Sequence, residues 1–229
     1  MPIIVFANPK GGVGKTTSVV LLATELAQKG AAVTVIDADR NKPVSFWAEI
    51  NGCPENIRVI KDVSEASIID EIEAAAETTP FVIVDLEGTA SLMAGYAISR
   101  ADLVVIPMQG SQLDAREAGK TVKLIAQEER AFRRKIPYAV LFTRTSSVLK
   151  PRTLQYVQDE FRKFGIRAFR TQILEREAYK ALFSFGGTLE SLKAHTTNLD
   201  RAIANSRAFA SEVVTMLKEI KSTQAEKVA

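Results

Sequence analysis

Residues 8–17 read NPKGGVGKTT and follow directly on the apolar run IIVFA. No other stretch restricts the fold so tightly. A β-rich run, a loop with three glycines and a helical pattern in direct succession describe a strand–loop–helix unit. Glycine is costly to order, so a loop this rich in it implies that something approaches the backbone closely. Successive backbone N–H groups at a helix N-terminus form a nest for anionic oxygens, and the helix dipole adds to the attraction. The pattern G-x-x-x-x-G-K-[ST] fits residues 9–16 with Pro9 in its first place, so this is not a standard P-loop. On the phosphate reading, Gly11, Gly12, Val13 and Gly14 wrap the oxygens and Lys15 reaches the outer phosphates. Thr16 would ligate Mg²⁺ and Thr17 would touch the innermost phosphate. A glycine-rich turn that merely opens a helix is the bland alternative, and motif and context together count against it.

The rest of the chain alternates in the same way. Strands are expected at 3–7, 32–37, 57–62, 81–85, 103–107, 138–143 and 166–171. Four of them are continuous apolar runs, as parallel strands covered on both faces require. Helical patterns separate them: TTSVVLLATELAQKG closing on Gly30, SEASIIDEIEAAAE opening at Ser64, and QLDAREAGKTVKLIAQEERAF. Beyond residue 172 only helices are expected, the last of them NLDRAIANSRAFASEVVTMLKEI. This alternation predicts an α/β fold, a doubly wound and mainly parallel sheet with helices on both faces. No linker or repeat interrupts it, so residues 1–229 are expected to form a single domain.

Composition narrows the function. With 229 residues, 46% of them hydrophobic and 25% charged, the balance is that of a globular protein. No apolar run is long enough to span a bilayer and no signal peptide is visible, which together with the lone Cys53 leads us to expect a cytoplasmic protein. A single cysteine also argues against an iron–sulfur carrier, which needs several thiolates. His195, the only histidine, reads as a surface or cap residue rather than a ligand, and the sequence marks no Ser–His or Cys–His pairing.

The second lysine is the specific feature. KGGVGKT is the deviant Walker A motif, and the sequence resembles the ParA/MinD family of ATPases over nearly its whole length, above all the short ParA-type partition members. That resemblance implies that Lys10 reaches across a dimer interface to the phosphates of the other subunit, so that two ATP molecules hold a homodimer together. It also places D-x-D at Asp37 and Asp39, with Asp37 near Mg²⁺ and Asp39 orienting the attacking water. Asp85, closing FVIVD, becomes the Walker B aspartate. Gln112 and Asp114 match a segment near the dimer interface, and Thr143-Arg144 a pair near the adenine. The catalytic set is therefore Lys10, Lys15 and Asp39; taken alone, each aspartate reads equally as a cap or turn residue.

Two places depart from the family. Arg40-Asn41-Lys42-Pro43 stands where Pro-Gln usually follows D-x-D, with Trp47 soon after. Asp85-Leu86-Glu87-Gly88 stands where D-x-P-P is usual, and Glu87 adds an acid for which the pattern has no role.

The resemblance leaves the cargo open. It implies an adaptor, ParB-like or otherwise, that stimulates slow hydrolysis, and non-specific DNA binding by the ATP dimer over the nucleoid. Plasmid or chromosome partition, positioning of a protein complex and help in conjugative transfer are all compatible. The basic residues offered for DNA are Arg162, Lys163, Arg167, Arg170, Lys180, Lys193 and Arg207. Each reads equally as part of a solvated helix face, and only convergence in space would make a patch. A MinD-like membrane role is disfavoured, since Val213, Val214, Met216, Leu217 and Ile220 look like core positions and no aromatic follows them. A synthetase that phosphorylates a carboxylate shares the motif but would need a further catalytic cluster, and none is visible.

Overall fold

The computed structural model describes residues 1–88, 91–146, 151–194 and 196–228. His195 lies outside the described residues, as does Lys150 at the start of the KPR cluster. The strands are β1 (Ile3–Phe6), β2 (Val33–Ala38), β3 (Ile57–Ile60), β4 (Phe81–Leu86), β5 (Leu103–Met108), β6 (Tyr138–Thr145) and β7 (Ile173–Leu174). They make one parallel sheet in the order β3-β2-β4-β1-β5-β6-β7. The helices are α1 (Lys15–Gln28), α2 (Pro43–Glu49), α3 (Ile68–Thr78), α4 (Leu92–Arg100), α5 (Gln112–Phe132), α6 (Arg152–Lys163), α7 (Glu177–Phe185) and α8 (Leu199–Val228), with a 3₁₀ turn at Leu189–Ala194.

Alternate residues of each strand point into different cores, which is why the strands read as continuous apolar runs. Ile4, Phe6, Val33, Val35, Ile83 and Val105 pack with Val19, Leu22 and Leu26 of α1 and with Phe209 and Val213 of α8. Val5, Ile36, Val82, Val84, Val104 and Phe142 pack on the opposite face with Ile68 and Ile72 of α3, Ile98 of α4 and Ile125 of α5. The sheet is therefore doubly wound. β1 lies between β4 and β5, so successive crossovers leave its two sides in opposite directions and open a crevice at its carboxyl end. α1 begins in that crevice.

Three expectations shift. The strand expected at 166–171 is reduced to one bridge, Val140 to Ala168, and the paired residues on that side of β6 are Ile173 and Leu174. The cause lies in α8: the Glu212 carboxylate accepts the amides of Arg170 at 2.7 Å and Thr171 at 2.8 Å, so those donors are unavailable to a ladder. A strand thus follows residue 172, where helices alone were expected. The third helix begins at Ile68 rather than Ser64, whose amide donates to Ser67 Oγ in the approach to the helix. The apolar positions of the last helix do pack into the core: Val213 and Met216 are buried, with Val214, Leu217 and Ile220 against them. Among the described residues no helix is long and apolar enough to cross a membrane.

Candidate nucleotide-binding site

The loop between β1 and α1 is built from positive-φ glycines. Gly12 has φ 71° and Gly14 φ 84°, the left-handed region in which a side chain would be strained. The loop is pinned from both ends. Asn8 Nδ2 donates to the Pro107 carbonyl at 2.7 Å while its Oδ1 accepts the Lys10 amide at 2.9 Å. Thr143 Oγ1, at the end of β6, donates to the Val13 carbonyl at 2.6 Å. These bonds set the nest before any ligand arrives.

Lys15 folds back over the loop, its ammonium donating to the carbonyls of Asn8 and Lys10, each at 3.2 Å. Burial pushes its pKa down, and the carboxylates of Asp85, Asp39 and Glu87 oppose that shift. A buried ammonium held only by carbonyls is suited to meet an incoming phosphate. Lys10 instead points to Asp114, with which it forms an ion pair inside the same chain. Asp114 also closes a capping box with Ser111 at the start of α5. Burial raises Asp114, but the bonds from Lys10 and Ser111 together bring it below the usual carboxylate range.

Asp37 and Asp85 are cross-strand neighbours at the ends of β2 and β4. Both are wholly buried. Among the described residues neither Asp85 oxygen has a hydrogen-bond partner, and Asp37 Oδ1 has none either. Burial raises Asp85 to about 7; the nearby Thr16 hydroxyl opposes this, although its geometry falls short of a hydrogen bond. Asp37 is likewise raised by burial, with Ser45 donating to its Oδ2 from both amide and hydroxyl. Unpaired buried carboxylate oxygens are costly, and a divalent cation is the natural counter-charge. Thr16, Asp37 and Asp85 thus suit Mg²⁺. Among the described residues no cluster of three or more His, Cys, Asp or Glu could enclose an ion. The remaining ligands would have to be water and phosphate, as Mg²⁺ commonly takes.

These groups open into a cleft of about 660 Å³, roomy enough for a nucleotide. Gly11, Gly12, Gly14, Lys15, Thr16, Thr17 and Asp39 line one end of it, together with Glu87 and Gly88. Thr143 and Arg144 line it too, with Arg144 donating to Glu175 at 3.0 Å and, at 3.4 Å, to the Gly12 carbonyl. The far wall is Ile173, Leu174, Tyr179 and Phe183, apolar and aromatic surface for a base. The sequence had not marked that wall, because β7 and α7 reach the cleft only through the tertiary fold. Lys180, offered for DNA, also lines this cleft.

The other basic residues fall into groups with separate partners. Arg162 and Lys163 end α6, paired with Asp159 at 2.6 Å and Glu160 at 3.1 Å. Arg167 bonds Glu219 of α8, and Arg170 sits where Glu212 takes its amide. Arg207 lies between Glu25 and Glu190, while Lys193 is exposed on the 3₁₀ turn. Gln112 opens α5, beside the Lys10–Asp114 pair.

The family described as VirC1 protein matches residues 1–226. A Protein ParA of Rhizobium radiobacter is 43% identical over 219 residues, covering 96% of this chain and 99% of the relative. Among solved structures, Cyanothece McdA in complex with ATP superposes with a TM-score of 0.75 at 18% identity, covering 93% of this chain and 96% of the other. Aquifex aeolicus MinD gives a TM-score of 0.71 at 20% identity, covering 94% and 98%. At those identities the structural likeness bears on the fold alone.

Proposed function

The chain belongs to the VirC1/ParA family of deviant Walker A ATPases, and from that premise we propose that it is a Mg²⁺-dependent ATPase whose two subunits close face to face around two ATP molecules. One observation carries the reading: a preformed phosphate nest, backed by the buried Lys15 ammonium, faces buried Asp85 oxygens that have no partner. Bound Mg²⁺ would neutralise the charge on the outer phosphates. Lys15 would hold those phosphates within its own subunit. Asp39, whose Oδ1 accepts the Asn41 amide at 2.9 Å, lines the cleft where a water could be oriented for attack. Lys10 would leave Asp114 for the nucleotide of the other subunit, so that ATP joins the dimer and hydrolysis releases it.

In this proposal the dimer binds DNA non-specifically over the nucleoid and moves or partitions cargo, and a ParB-like adaptor accelerates its slow turnover. The names of its relatives, ParA and VirC1, support that direction. Sedimentation velocity with Mg-ATP against Mg-ADP tests the core of it. A dimer with ATP and a monomer with ADP is the expected result, and a monomer with both would sink the proposal.

A further inference from the structure

Arg40 and Glu87 join the two loops that frame the phosphate end of the cleft. Arg40 follows β2 and Glu87 follows β4, and Arg40 Nε meets Glu87 Oε2 at 3.0 Å. The partners differ in setting: the Arg40 side chain is 84% exposed, that of Glu87 only 26%. Glu87 lines the cleft with Lys15, Thr16 and Asp39. The next residue, Gly88, packs directly on the nest. A Cβ at Gly88 would lie 3.0 Å from the Gly11 amide nitrogen and 3.1 Å from its Cα.

A carboxylate held beside a phosphate nest repels the ligand for which that nest is built. An ion pair as exposed as this one adds little to stability, so its consequence falls on the charge of Glu87. We propose that Arg40 neutralises Glu87, and that the pair is a charge-matched clasp that admits a nucleoside triphosphate, which a bare carboxylate there would disfavour against the diphosphate. This rests on the ATP reading above. The difference follows from charge: an unneutralised Glu87 repels the more heavily charged ligand more. Arg40 acts through Glu87 and is a positioning residue. Both positions belong to the segments in which the sequence departs from its family's pattern.

The test is a double-mutant cycle of Arg40→Ala, Glu87→Gln and the double variant. Calorimetry reads the affinity for Mg²⁺ with a non-hydrolysable ATP analogue and with ADP, at protein concentrations where sedimentation shows monomer. Arg40→Ala should weaken the triphosphate about five- to tenfold and the diphosphate no more than about twofold. Glu87→Gln alone should bind the triphosphate as well as the natural protein or better. The double variant should recover to within about twofold of it. A coupling for the triphosphate below about twofold, or one equal for the diphosphate, overturns the clasp. So does a double variant as weak as Arg40→Ala, since Arg40 would then act on the phosphate itself. Absence of nucleotide binding by the natural protein would remove the ATPase reading instead, a distinct result.

Discussion

The ammonium of Lys10 is bound within its own chain by the carboxylate of Asp114, whose other oxygen caps α5 through Ser111. A lysine proposed to act on another subunit is thus held within its own chain. On the proposed sandwich, closing the dimer would break this pair and the phosphate of the second subunit would replace it.

The first prediction separates the two lysines. Lys10→Ala leaves a buried carboxylate without its cation and should lower stability by about 1–2 kcal/mol in chemical denaturation. It should still bind ATP, because the nest and Lys15 are intact, and should stay monomeric with Mg-ATP. Lys15→Gln should lose nucleotide affinity outright. Equal loss of ATP binding in both variants would show that Lys10 serves its own subunit.

Asp39 gives the second. Its side chain lines the cleft and accepts the neighbouring Asn41 amide at 2.9 Å. Asp39→Ala should therefore keep ATP binding and dimer formation while hydrolysis falls by at least about a hundredfold. Size-exclusion chromatography in Mg-ATP should show a persistent dimer. Hydrolysis at the natural rate would mean that another group orients the water.

Asp85 gives the third, and it sets stability against function. Its folded pKa of about 7 lies above the ordinary value of 3.8, so the folded chain holds a proton that the unfolded chain releases. The sign follows: without nucleotide, stability is fullest below pH about 4 and falls as pH rises towards about 7. Asp85→Asn removes the buried charge. At pH 8 the variant should be more stable than the natural chain, on the order of 2–4 kcal/mol in denaturant, and lack that slope. It should also lose the Mg²⁺ dependence of ATP binding. A less stable Asp85→Asn would mean that the carboxylate is satisfied in the resting protein.

How much of this the sequence could tell depended on the range of each interaction. The loop of three glycines and the start of α1 were legible because their signature lies within ten successive residues, whereas the bonds from Asn8 to Pro107 and from Thr143 to Val13 that pin the loop were not. The inner strands were legible because coverage on both faces makes them apolar throughout. The edge at β7 was not, since its register depends on Glu212, about forty residues away. The role of Glu87 was hidden for the same reason, with its partner Arg40 on another loop. The apolar wall of Ile173, Tyr179 and Phe183 carries no local signature, because a helix facing a ligand reads like one facing a core.

The last prediction concerns DNA. Arg162, Lys163 and Arg167 lie at the end of α6 and just beyond it, and each has an acidic partner. Their pairs are exposed and contribute little, so phosphates can displace the acids at small cost. Lys180, at the cleft mouth, and Arg207, held between Glu25 and Glu190, are less free to do so. Asp39→Ala protein with Mg-ATP should retard DNA of arbitrary sequence, and ADP should give little binding. Each phosphate contact steepens the log–log salt dependence by about 0.9, so a dimer with several contacts should lose affinity sharply between about 50 and 200 mM salt. Reversing charge at Arg162, Lys163 and Arg167 together should flatten that slope and leave the ATP dimer intact, whereas reversing Lys180 should alter nucleotide binding first. An unchanged salt slope in the triple variant would move the patch elsewhere. ATP-dependent sedimentation of the full chain with anionic liposomes would place the protein on a membrane instead.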